Sequence, residues 1–135
     1  MPGFELFGEL ERKEVTDVLD NGVLMRYGFD GMRKGHWKAK ELEVELQKYF
    51  QVNHAQLLSS GTAAVSMSLA VAGVGAGDEV IMPCFTFVAS FESILMAGAT
   101  PILVDIDDTL TLDPVAVEKA ITPKTKAIVP VHLFG

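Results

Sequence analysis

The sequence predicts an α/β fold built on an incomplete, doubly wound parallel sheet, and three observations lead there. Apolar runs of strand length recur at residues 55–58, 79–82, 100–104 and 126–131. Stretches of helix length and helical spacing separate them, and strands alternating with such helices are joined by parallel crossovers. The breaks between runs carry turn chemistry: Ser59-Ser60-Gly61-Thr62, residues 75–78, Pro83 and Asp113-Pro114.

Taken in order, residues 4–19 set Phe7, Leu10, Val15, Val18 and Leu19 among Glu, Arg and Lys. That spacing predicts an amphipathic helix, which Asn21-Gly22 stops. Residues 23–37 hold Gly28, Gly31 and Gly35 without a clean period and read as a loop or arm. The arm is chemically rich, with Arg26, Tyr27, Asp30, Arg33, His36 and Trp37. Two readings of it stay open. It is a solvated connector whose aromatics pack on the next helix, which suits Trp37, or Arg26 or Arg33 reads an acidic substrate through the match of guanidinium to carboxylate. Residues 38–50 predict a second amphipathic helix with Leu42, Leu46, Tyr49 and Phe50 on one side; Glu41, Glu43 and Glu45 read as its solvated face.

The stretch LLSSGTAAVSMSLAVAGVGAGDEVIMPCFTF, residues 57–87, organises the rest. The run 55–58 feeds a helix over 60–74 whose first turn leaves N–H groups without intrahelical partners and carries partial positive charge. A small-residue turn there can hold an anion: Gly61 lets the backbone approach and Thr62 adds a hydroxyl. The plainer reading is that Ser60 or Thr62 caps the helix. A second junction follows the strand 79–82, where Phe85-Thr86-Phe87 opens a helix over 86–97. Those rings are either core or a flat apolar face beside the phosphate cup. Together the two junctions suit a planar, phosphorylated cofactor. Further on, Asp113-Pro114 starts a helix over 115–121, and His132 closes the last strand. Asp105 and Asp107 at a strand exit read as turn chemistry, and His36 and His54 lie in loops, so no metal is expected.

Composition limits the function classes. With 135 residues, 49% hydrophobic and 21% charged, the chain is globular and long enough to bury a core. A net charge of −7 without a Lys/Arg cluster argues against nucleic acid or an anionic membrane as partner. No run of about eighteen apolar residues occurs, and Cys84 is the only cysteine, which suits a reducing compartment. A soluble cytoplasmic protein is expected, with Cys84 as small filler at a strand end.

The motifs SGTAA, GDEVI-P-FTFVAS, AGATP-VDID, LDP and ITPKTKAI-PVHLFG, in that order and spacing, resemble the amino-terminal part of the pyridoxal-phosphate-dependent sugar aminotransferases of the DegT/DnrJ/EryC1/StrS family. The resemblance covers residues 57–135 and, more loosely, the whole chain. It implies the amino-terminal part of the large domain of fold-type I pyridoxal-phosphate enzymes. Residues 1–37 are then an amino-terminal helix and arm, and residues 38–135 a partial cofactor-binding domain. It implies pyridoxal 5'-phosphate as cofactor, with Gly61, Thr62 and the Ala63 N–H at the phosphate, Phe87 stacked on the ring and His132 nearby. The implied reaction moves an amino group from glutamate or glutamine to a keto or aldehyde sugar, carried as a nucleotide sugar or an acid sugar, in a homodimer.

The family's Schiff-base lysine and its pyridinium-pairing aspartate have no counterpart here. The chain therefore reads as the leading piece of a longer protein, inactive alone. MPGFELFG and MRYGFDGMRKGHWKAKELE are similar to the subgroup that makes an 8-amino-3,8-dideoxy-octulosonate for lipopolysaccharide, whose carboxylate would suit Arg26 or Arg33. The resemblance also implies a three-stranded sheet with 79–82 central and 55–58 left without a partner. Two rivals remain. One is a non-catalytic α/β binding or regulatory domain lacking the lysine; the other is a nucleotide-binding domain, weakened because SSGTAA stands where Gly-x-Gly-x-x-Gly would.

Overall fold

Gly8 and Gly22 bracket the first long helix of the computed structural model, which describes residues 3–134. Helix α1 (Glu9–Asn21) starts later than the apolar spacing predicts, because Gly8 is extended; Phe4–Leu6 forms only a single tight turn before it. The Glu11 carboxylate accepts the Gly8 N–H at 2.7 Å, and Gly22 ends the helix in the left-handed region at φ 75°. Helix α2 (Lys38–Phe50) has the predicted bounds. Lys38 Nζ pairs with Glu14 and Asp17 and so ties α2 to α1. The arm between them has one short turn at Asp30–Met32.

The chain divides into two units between Leu57 and Leu58. This falls later than the sequence-based division after residue 37, since Glu43 on α2 bonds both Arg26 of the arm and the Leu57 backbone within the first unit. Among the first unit's described residues only Val23, Arg33 and Glu43 are buried. Polar ties hold it more than a hydrophobic core does. Residues 55–58, predicted as a strand, form no ladder.

The second unit has the hydrophobic core. Helix α3 (Gly61–Val71) is shorter than predicted: Gly73 at φ 78° turns the chain, and the Val74 N–H returns to the Leu69 carbonyl. Strand β1 (Glu79–Pro83) leads to helix α4 (Ala89–Met96), strand β2 (Thr100–Val104), helix α5 (Pro114–Ala120) and strand β3 (Thr125–Ile128). The sheet is parallel in the order β2-β1-β3, with β1 central, as the resemblance implies. Val80 and Met82 point from β1 into a cluster with Leu69, Val74, Ile94 and Ala99. Val80, Ile94 and Met82 are almost wholly buried, and each such side chain contributes roughly 1.5–3 kcal/mol.

Two strand ends differ from expectation. Helix α4 begins at Ala89, not Thr86, because Cys84 still bonds the sheet through its N–H to the Val104 carbonyl and the chain must turn before it can coil. Strand β3 stops at Ile128; the Val129 N–H makes one last bond to Ile81, and Pro130 has no N–H to offer. Between β1 and β3 the register slips: Glu79 faces Thr125 but Val80 faces Ala127, so Lys126 bulges. Among the described residues no helix is long and apolar enough to cross a membrane.

Candidate functional site

Ser60 caps α3. Its backbone is extended and its Oγ accepts the Ala63 N–H at 3.1 Å, while its carbonyl accepts the Ala64 N–H at 3.0 Å. The capping reading is therefore correct for Ser60, and Ala63, expected at a phosphate, already spends its N–H on the cap. The N–H groups of Gly61 and Thr62 meet no acceptor among the described residues. A Cβ built on Gly61 would meet nothing within 4 Å, so the space outside this turn is open. The tip of α3 thus presents two uncommitted donors, the positive end of the helix dipole and room for an anion.

A buried serine joins this tip to α4. Ser93 is 0% exposed, and its Oγ lies 2.6 Å from the Ala89 carbonyl and 3.2 Å from the Thr62 carbonyl. Ser66 Oγ donates in return to the Ser93 carbonyl at 3.3 Å. The start of α3 is thus stitched to the middle of α4, and the segment 84–88 leads into α4. That segment holds Phe87, whose carbonyl accepts the Ser90 N–H, and Thr86, whose Oγ1 lies 3.1 Å from Ser90 Oγ. Phe87 is 72% exposed and Phe85 45% exposed, so neither ring is core in this chain. Of the sequence-nominated residues, Gly61, Thr62 and Ala63 share the tip of α3, and Phe87 lies two residues before α4. His132 lies beyond the end of β3, exposed, and joins none of these contacts.

Arg26 and Arg33 belong to the first unit, and both are committed there. Arg26 Nη2 donates to both oxygens of Glu43, at 2.6 and 2.8 Å. Arg33 is buried, gives Nε to the Gly28 carbonyl at 3.1 Å and Nη2 to the Met25 carbonyl, and lies 4.4 Å from the centre of the Trp37 ring. Arg26 keeps Nε and Nη1 without an acceptor among the described residues.

Glu43 is the residue that sequence reasoning misses. Expected on a solvated face, it is buried and accepts the Leu57 N–H at 2.7 Å as well as the Arg26 guanidinium. Arg26 beside it, and next the Leu57 N–H, hold its carboxyl below the usual glutamate range. Glutamates alternate along α2, so composition alone does not say which one turns inward.

The fit to a phosphorylated, planar group rests on the free N–H pair at Gly61 and Thr62, the open space beside Gly61 and the uncovered Phe87 ring. Comparison with known proteins agrees in kind. The sequence profile described as the DegT/DnrJ/EryC1/StrS aminotransferase family matches residues 6–135. The spore coat polysaccharide biosynthesis protein SpsC of Bacillus subtilis is 42% identical over 131 residues, 96% of this chain and 31% of that protein. The UDP-N-acetyl-3-dehydro-alpha-D-glucosamine 3-aminotransferase of Acidithiobacillus ferrooxidans is 46% identical over 99 residues, 73% of this chain and 27% of that protein. Among solved structures, NtdA from Bacillus subtilis with bound cofactor PMP superposes with a TM-score of 0.78 at 35% identity, covering 99% of this chain and 30% of that one. The chain thus spans about a third of the length of these relatives. Its α/β layer is part of the fold-type I aminotransferase fold.

Proposed function

We propose, because this chain belongs to the DegT/DnrJ/EryC1/StrS aminotransferase family, that the protein carrying it transfers an amino group from an amino-acid donor to a keto or aldehyde sugar with pyridoxal 5'-phosphate. The observation that carries the reading is the open tip of α3, with unspent N–H groups at Gly61 and Thr62, tied through Ser93 to the segment bearing Phe87.

In this reading Gly61 and Thr62 hold the phosphate through backbone N–H groups and the Thr62 hydroxyl, and the Ala63 N–H joins them if Ser60 Oγ yields it. Phe87 lies against the ring and shields one face from water. The cofactor, when bound, supplies the electron sink for amino transfer, while the protein positions it. The covalent lysine is assigned to sequence outside these residues.

The finer reading concerns the substrate: an acid sugar, aminated at carbon 8 of an octulosonate for lipopolysaccharide, with glutamate or glutamine as donor. Support comes from the arm, where Arg26 retains two unspent donor nitrogens for a carboxylate. Arg33 is a weaker nominee, with its Nε and Nη2 already bonded, and so is His132, which lies exposed beyond β3. A cytoplasmic homodimer completes the proposal. The test is to titrate the full-length protein with pyridoxal phosphate by absorbance, then supply glutamate and the 8-oxo sugar and follow product mass. A cofactor band with an 8-amino product is expected. No band overturns the cofactor reading, and a band without that product overturns the octulosonate assignment alone.

A further inference from the structure

Arg26 and Arg33 lie in one arm, yet the fold commits them differently. Among the described residues no backbone group of 24–28 bonds to another backbone group, and the large side chains of Leu24 and Tyr27 are exposed. Two hydrogen bonds reach this backbone, and both come from the Arg33 guanidinium: Nε donates to the Gly28 carbonyl at 3.1 Å and Nη2 to the Met25 carbonyl. They grip the chain on either side of Arg26-Tyr27. Directly after it, Gly28 and Phe29 are both left-handed, at φ 72° and 59°, a conformation that a residue such as Phe29 keeps only where its surroundings enforce it. Arg33 is itself fixed. It is 5% exposed, its carbonyl accepts Asn21 Nδ2 at 2.7 Å and the His36 N–H at 2.9 Å, and its guanidinium carbon lies 4.4 Å from the centre of the Trp37 ring.

We propose that Arg33 is a positioning residue for Arg26: it clamps the backbone from 25 to 28, so that Arg26 is held with Nε and Nη1 free for a carboxylate. The proposal rests on the reading that Arg26 meets the carboxylate of an acid sugar. Arg26 suits that part, since its side chain is 43% exposed and only Nη2 is spent, on Glu43. Glu43 aims the guanidinium, and Arg33 fixes the chain from which it grows; a fork that must meet a carboxylate edge-on loses affinity when its base is loose. Arg33 suits the clamp, because its planar fork reaches two carbonyls at once in a fixed geometry, which the single ammonium of a lysine does not reproduce. No carboxylate pairs with Arg33 among the described residues. Its charge is spent on the two carbonyls and the face of Trp37.

The experiment uses full-length protein carrying R33M, R33K or R26K, with two readouts: the rate of chymotrypsin cleavage after Tyr27 without substrate, and KM for the 8-oxo acid sugar beside KM for glutamate. R33M is expected to speed cleavage and to raise KM for the sugar, each about tenfold, while KM for glutamate stays within about threefold of wild type. R33K keeps the charge but not the fork; it is expected to show the same two changes in smaller measure and carries the test if R33M does not fold. R26K keeps a cation beside Glu43 and leaves the clamp in place, so it is expected to raise KM for the sugar with cleavage at the wild-type rate. Wild-type cleavage in the Arg33 variants overturns the proposal, and so does faster cleavage with an unchanged KM for the sugar. Wild-type protein that does not turn over this sugar, or R26K with a wild-type KM, overturns the carboxylate reading of Arg26 instead, and cleavage after Tyr27 then decides on the clamp alone.

Discussion

Ser93 Oγ on α4 donates to the Thr62 carbonyl of α3 across 31 residues of chain, at 3.2 Å and without contact with solvent. The bond couples the turn that offers anion-binding N–H groups to the helix that follows Phe87. S93A is expected to cost about 1 kcal/mol in unfolding free energy, the usual net worth of one intramolecular hydrogen bond. Denaturant titration checks this, and an unchanged midpoint would refute the coupling.

Phe87 separates binding from stability, because its ring is 72% exposed. F87A is expected to leave the unfolding free energy within about 0.5 kcal/mol of wild type. Affinity for pyridoxal phosphate is expected to fall roughly two- to tenfold, the range that stacking on an aromatic ring supports. A loss of stability with unchanged affinity would reverse the assignment.

At Ser60 the expected effects run in opposite directions. S60A removes the cap on the Ala63 N–H, which is expected to cost about 1 kcal/mol. The same change releases a third donor at the tip of α3. Phosphate affinity, measured by calorimetry in the full-length protein, is expected to hold or rise; a weaker interaction would show that the Ser60 hydroxyl itself is a ligand.

The first unit is expected to be acid-sensitive through Glu43. Arg26 and the Leu57 N–H lower its folded pKa below the unfolded value of about 4.3. Its stabilisation is therefore complete above that value and is lost as pH falls through the folded pKa. Unfolding of wild type and E43Q across pH 3 to 7, on the order of one point per half unit, checks this. The gap between them is expected to close at the acid end, and a constant gap would contradict an ionised Glu43.

Local chemistry is legible in this sequence where one residue decides it. Asp113-Pro114 predicts a helix start, and Asp113 Oδ1 accepts the Val115 N–H at 2.8 Å. The Ser-Ser-Gly-Thr turn likewise announces a capped tip with free donors. Boundaries that depend on where the last sheet bond falls are not legible: nothing in Cys84-Phe85-Thr86 says that Cys84 still pairs with Val104. Polar residues turned inward are hidden as well. Ser93 and Glu43 look like any helical serine or glutamate until the partners at Thr62, Arg26 and Leu57 are brought to them by the fold. With Glu92 directly before it and Ser90 on the same helix, nothing in the neighbours of Ser93 marks it as buried.

The bulge at Lys126 decides which side chains of β3 meet the helices. In parallel strands, paired residues share a face, and an unbroken register would set Lys126 opposite Val80, on the side where the Leu69–Ile94 cluster lies. The slip gives that place to Ala127 and lets the lysine stand aside. Excising Lys126 would leave Ala127 opposite Val80 and Ile128 opposite Ile81, whereas deleting Ala127 instead would set the lysine opposite Val80, on the face of the cluster. This strand is thus unequal in its tolerance of deletion, and its forgiving position is the bulged one.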